Sequence, residues 1–65
     1  MAMKRQAEAL EVRLVVERKG RRVYVRDAVT GVRIGWRDEQ TGMVHFEDGA
    51  DLALVHVGLK AWDRD

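Results

Sequence analysis

Residues 12–26 read Val-Arg-Leu-Val-Val-Glu-Arg-Lys-Gly-Arg-Arg-Val-Tyr-Val-Arg, and this stretch decides the fold. Val12, Leu14 and Val16 alternate with Arg13, Val15 and Glu17. After Lys19 and Gly20, Val23 and Val25 alternate with Arg22, Tyr24 and Arg26. A period of two marks strands with one buried face. Gly20 supplies the positive φ that a two-residue hairpin loop needs. The same pattern continues outward. Ala28-Val29-Thr30-Gly31 reads as a second turn, after which Val32, Ile34 and Trp36 alternate with Arg33, Gly35 and Arg37. Gln40-Thr41-Gly42 reads as a third turn, followed by Val44 and Phe46 alternating with Met43, His45 and Glu47.

The turns predict a register. A two-residue loop at 19–20 pairs Val16 with Val23, Leu14 with Val25 and Arg13 with Arg26. A four-residue loop at 28–31 pairs Val25 with Ile34, Val23 with Trp36, Tyr24 with Gly35 and Arg26 with Arg33. A three-residue loop at 40–42 pairs Trp36 with Phe46. Apolar residues then meet apolar residues in every hairpin, and a slip of one residue would reverse the faces. The expected class is α+β: a three- to four-stranded antiparallel meander, with Val12, Leu14, Val16, Val23, Val25, Ile34, Trp36 and Phe46 on its apolar face.

A C-terminal helix is expected to cover that face. Leu52, Val55, Leu59 and Trp62 recur at helical spacing, with Asp48 available as the cap. Asp48-Gly49 also suits a hairpin turn, and Val55, Val57 and Gly58 are poor helix formers. The alternative therefore makes 52–57 a further strand that closes a small SH3-like barrel. Residues 1–10 suit a flexible arm or a short helix, leaving 11–65 as one small domain. No internal repeat or low-complexity tract is read in the chain.

Sixty-five residues bound the rest. A chain this short buries only about 60% of its unfolded surface, so its stability margin is thin. It has no cysteine to staple it, and its 46% hydrophobic content is too high for a disordered tail. No apolar run approaches the roughly 20 residues of a membrane-spanning helix, and a cytoplasmic location is expected. Serine and cysteine are absent, and both threonines fall in turns. A nucleophile with a positioned base is hard to assemble from what remains, so no enzyme, cofactor or small-molecule substrate is expected. His45 and His56 lack partners at metal-ligand spacing. Asp48, Asp51, Asp63 and Asp65 suit caps and tails better than an acid–base pair.

Charge is divided along the chain. Residues 1–37 hold ten Lys/Arg against four acids, a net +6, whereas 38–65 hold two against seven, a net −5. On the predicted register the polar sheet face carries Arg13, Arg22, Tyr24, Arg26, Arg33 and Arg37. Arg13, Arg26 and Arg33 fall in one cross-strand row, and Arg22 lies opposite Arg37. Like charges directly opposite are destabilising, which points to an anion as their partner, and guanidinium forks match phosphate and carboxylate. The expected function is a non-catalytic module that engages nucleic acid or a nucleic-acid-associated complex through this face. The rival surface is acidic: Asp38, Glu39, Glu47, Asp48 and Asp51 would grip a basic protein partner. Residues 12–16, taken as an exposed edge strand, suggest pairing with a second copy.

The segment Gly20-Arg21-Arg22-Val23-Tyr24-Val25-Arg26-Asp27-Ala28-Val29-Thr30-Gly31 resembles the central hairpin of the arm-type DNA-binding domains of phage tyrosine integrases. The resemblance covers about a fifth of the chain. It implies three antiparallel strands followed by a helix, with the sheet laid in the DNA major groove and Arg22, Tyr24, Arg26 and Arg33 facing DNA. The chain departs from that pattern in its strand-like segment at 43–47, and it has no counterpart of the integrase catalytic part. In size alone it is similar to small phage-encoded inhibitors such as anti-CRISPR proteins, which would imply protein–protein contact with a host nucleic-acid-handling complex.

Overall fold

A computed structural model describes residues 3–9 and 12–64. Met1, Ala2, Leu10 and Glu11 lie outside the described residues, as does Asp65, the expected tail acid. The elements are β1 (Met3–Ala9), β2 (Val12–Lys19), β3 (Arg22–Asp27), β4 (Arg33–Asp38), β5 (Val44–Phe46) and α1 (Leu52–Asp63). The strands form one antiparallel sheet in the order β1-β2-β3-β4-β5, a meander. The helix packs on one face of it and touches β1 to β4. The protein is thus the α+β meander with a covering helix that the alternation predicts. No described helix is long and apolar enough to cross a membrane.

Two segments differ from expectation. Residues 3–9, read as an arm or short helix, pair along the whole of β2, from Met3 opposite Arg18 to Ala9 opposite Val12. Residues 12–16 are therefore interior and not an edge. Residues 52–57 are helical, so no SH3-like barrel closes. The cap of α1 is Asp51 rather than Asp48: its carboxylate accepts a hydrogen bond from the Ala53 N–H at 2.9 Å. Asp48 sits instead in a turn with Gly49, whose φ of 76° needs a glycine.

The core lies between sheet and helix. Leu14, Val16, Val23 and Val25 meet Val55 and Leu59, with Val12, Ile34, Val44, Phe46, Leu54, Val57 and Trp62 packed around them. Burying each such side chain stabilises the fold by about 1.5–3 kcal/mol. Leu52, expected on the buried helix face, is 52% exposed. Two glycines let the layers approach. A Cβ on Gly58 would lie 2.7 Å from a Val25 methyl, and one on Gly35 would lie 2.8 Å from both a Val55 methyl and the His45 carbonyl oxygen.

The hairpins slip relative to the predicted register, and each slip has a local cause. In the first, the loop is Gly20-Arg21 rather than Lys19-Gly20, so Val16 faces Val25, Arg18 faces Val23 and Leu14 faces Asp27. That moves the pairing by two residues and leaves the faces unchanged. In the second, Arg26 does pair with Arg33, but a β-bulge follows. Val25 then faces Gly35, Tyr24 faces Trp36, Val23 faces Arg37 and Arg22 faces Asp38. This is a one-residue slip and it reverses β4. Gly35 is turned to the helix, where only a glycine fits, Trp36 is turned away from it, and Arg37 is turned toward it. In the third, the loop has four residues rather than three, pairing Trp36 with His45 and Gly35 with Phe46.

The second and third turns are the same structure. In each, an aspartate carboxylate accepts from the backbone N–H groups two and three residues on: Val29 and Thr30 for Asp27, Gln40 and Thr41 for Asp38. The threonine hydroxyl accepts from the residue two further on, Val32 or Met43. A glycine at positive φ, Gly31 or Gly42, closes the turn by donating to the aspartate carbonyl. The motif Arg-Asp-x-x-Thr-Gly at 26–31 thus recurs at 37–42, so the chain holds one short internal repeat where none is expected.

Candidate functional site

The sheet face away from the helix carries the candidate site. Register and the two-residue strand period align its side chains in cross-strand rows. One row runs Lys4, Glu17, Tyr24, Trp36, His45 across all five strands. The next runs Gln6, Val15, Arg26, Arg33. A third, on the other side, holds Lys19 and Arg22. Val15 is buried on this face, outside the helix-side core.

Two guanidinium groups lie over aromatic rings, and two rings are stacked. The Arg22 Cζ lies 4.0 Å from the centroid of the Trp36 ring, and the Arg33 Cζ lies 4.0 Å from that of Tyr24. The Trp36 and His45 rings are stacked at 5.1 Å with 26° between their planes. Both arginines reach their rings along the diagonal of a strand pair, a distance that long side chains span. Cation–π contacts of this kind contribute about 0.5–1 kcal/mol at exposed sites. A guanidinium over a ring keeps its five N–H donors, since the contact uses its charge and not its hydrogen bonds.

Hydrogen bonding separates the arginines into two groups. Arg18 donates to the Gly20 carbonyl, and Arg21 to Asp38 and Gln40. Arg37 donates bidentately to Glu39 and to Asp63, at 2.7–3.0 Å, which ties β4 to the end of α1. Among the described residues, Arg22, Arg26 and Arg33 make no hydrogen bond or ion pair, and Arg22 and Arg33 contact their rings. All three lie on the outer face. Arg26 and Arg33 are directly opposite each other, a like-charge pair that costs a few tenths to about 1 kcal/mol.

Of the predicted site residues, Arg22, Tyr24, Arg26 and Arg33 come together here. Arg13 shares the face but lies opposite position 8 in the backbone register, and the place expected for it opposite Arg26 belongs to Val15. Arg37 does not belong to the face. The bulge turns it to the helix side, where its hydrogen bonds to Asp63 and Glu39 hold its pKa above the ordinary value, against the effect of burial. The same contact with Arg37 lowers the Asp63 pKa. The site gains Trp36 and His45, which the predicted register had put in the core and left without a role. The signal for them was Gly35: a glycine inside a strand marks a bulge or a close backbone approach.

The acidic residues do not offer one comparable surface. Asp38 is 5% exposed and bonded into its own turn. Burial pushes its pKa up, but the Gln40 and Thr41 N–H groups and the Arg21 guanidinium outweigh this and hold it below the ordinary value. Glu39 holds Arg37, Glu47 lies 2.9 Å from His45 Nε2, and Asp51 caps the helix. Beside the stacked row, an open cleft of about 500 Å³ lies between the start of β4 and the loop before α1, lined by Val32, Arg33, His45, Phe46, Glu47 and Gly49 among others.

Comparison of the chain with known protein families, with curated protein sequences and with solved structures finds no match.

Proposed function

We propose that this protein is a non-catalytic binding module that engages nucleic acid, alone or within a nucleoprotein, through the outer face of its sheet. The observation that carries this reading is the set Arg22, Arg26 and Arg33. They are three cations on one face without a hydrogen-bonding partner among the described residues, and two of them lie over aromatic rings. Their N–H donors suit phosphate oxygens. The opposed pair Arg26 and Arg33 is a cost to folding that an anion removes. The rival reading, contact with a basic protein partner through Asp38, Glu39, Glu47, Asp48 and Asp51, has weaker support, because four of those five acids already hold parts of the fold together.

The test is fluorescence anisotropy of labelled oligonucleotides across a salt series, with Arg26→Glu as the variant. Neutralising three phosphates gives a slope of log K on log salt of about −2 to −3. Arg26→Glu converts a like-charge pair into an opposite one, so it weakens binding while the melting temperature stays level or rises. Absence of binding by both single and double strands at low salt would refute the proposal.

A further inference from the structure

We infer that the ligand of this face is a single strand of nucleic acid, with bases against the row of Tyr24, Trp36 and His45 and phosphates on Arg22, Arg26 and Arg33. This rests on the nucleic-acid reading above and narrows it to one form of the polymer.

The first reason is steric. The arginines, Tyr24 and Trp36 stand on β3 and β4, in the interior of a five-stranded sheet, with β1 and β2 on one side and β5, which carries His45, on the other. Four interstrand steps make such a sheet about 19 Å wide, in a molecule measuring 30 × 23 × 20 Å. The major groove of a duplex is about 12 Å wide and admits a helix or a two-stranded ribbon. The flanking strands would meet the phosphate ridges before Tyr24 or Trp36 reached a base edge. A single strand lying on the open face meets no such obstacle. The integrase-like hairpin resemblance implies a three-stranded sheet in the groove, and here β1 and β2 together with β5 make the sheet too broad for that pose.

The second reason is chemical. Tyr24, Trp36 and His45 are successive members of one row, and every base has a π-face that pairing in a duplex keeps inside the stack. Trp36 already orients the Arg22 guanidinium and the His45 imidazole, and Tyr24 orients that of Arg33. The outward faces of these planes are where a base adds to the stack, since guanidinium planes stack bases as rings do. Arg33 and His45 also line the open cleft at the sheet corner, so the path of the strand continues from the row onto a concave surface.

The experiment compares short oligothymidine, oligouridine and a duplex of the same length at low salt. It uses anisotropy together with tryptophan emission in a Trp62→Phe background, where Trp36 is the sole tryptophan. The single strands bind and quench Trp36, and the duplex binds at least about tenfold more weakly. Trp36→Leu and Tyr24→Leu each weaken single-strand binding by about tenfold, and Trp36→Phe, which keeps a ring, loses less. Circular dichroism melts establish that each variant is folded. Relative affinity for the thymidine and uridine strands assigns DNA or RNA. Equal or tighter binding of the duplex, or folded leucine variants that bind the single strand as the parent does, would overturn this inference and leave the nucleic-acid proposal standing. Failure of every oligonucleotide to bind overturns both.

Discussion

Replacing Gly35 by alanine puts the β4 bulge to a direct test. The added methyl would lie 2.8 Å from the His45 carbonyl oxygen and 2.8 and 2.9 Å from the two Val55 methyls. Neither neighbour yields easily. One is the backbone of the adjoining strand, and the other is a fully buried β-branched side chain with a single preferred rotamer in a helix. Overpacking of this kind costs about 1–3 kcal/mol, and clashes on two sides place Gly35→Ala in the upper part of that range. Alanine also restricts the unfolded chain, which returns about 0.4–1 kcal/mol. The expected net loss is about 2 kcal/mol, against a total stability of about 3–10 kcal/mol for a chain of this length. At about 4–8 °C per kcal/mol, the melting temperature falls by roughly 8–16 °C. Thermal melts by circular dichroism and urea titrations of parent and variant measure both quantities. In the unbulged pairing Gly35 would face outward opposite Tyr24, where a methyl meets open surface and costs little. A variant as stable as the parent would therefore refute the bulge, and with it the outward direction of Trp36.

Two further outcomes follow from the bonded charges. Arg37→Ala lowers stability by about 1–2 kcal/mol: hydrogen bonds to charged groups are worth about 1.5–3 kcal/mol, discounted because the Asp63 side chain is 54% exposed and screened by water. A double-mutant cycle with Asp63→Asn checks this, and strict additivity of the two single changes would show that the clamp contributes nothing. Acid weakens the fold through Asp38 and Asp63, whose pKa values are lowered in the folded state. Their contribution is fully present above the ordinary value of 3.8 and is lost as pH falls through the lower folded values. Asp38→Asn should flatten the fall of melting temperature below that pH, and an unchanged acid slope would argue against the role assigned to Asp38.

The fold was legible where the physics is local. Alternation across 12–26 is a property of neighbouring residues, and β2 and β3 lie where it predicts, with Leu14, Val16, Val23 and Val25 fully buried. The helical spacing of Val55, Leu59 and Trp62 likewise found α1 against poor intrinsic propensity, because burial of a face outweighs propensity. What the pattern missed was decided by contact across the core. Whether Gly35 or Trp36 turns inward depends on the room left by Val55, a residue twenty positions away along the chain, and hydropathy favours the wrong choice. Arg22, Tyr24 and Arg26 lie on the outer face as expected because β3 was correctly faced, and Arg33 does so because its pairing with Arg26 precedes the bulge. Arg37 and Trp36 exchanged sides because β4 was not. The strand at 3–9 has little apolar character of its own, and its pairing with β2 supplies what its sequence does not announce.

The repeated aspartate-threonine-glycine turn bears on how the chain assembles. Each copy satisfies its own backbone from within six residues, so closing either loop requires little loss of chain freedom. The two turns flank β4 and close its ends locally, while the facing of Gly35 between them is set by Val55 on the helix. The N-terminal hairpin joins this centre through the two-residue loop Gly20-Arg21, and the helix follows β5 after five residues. Arg22 to His45, which carry the proposed ligand face, fall within that central segment, so the loops that bound the surface close locally while its facing is fixed by the helix behind it.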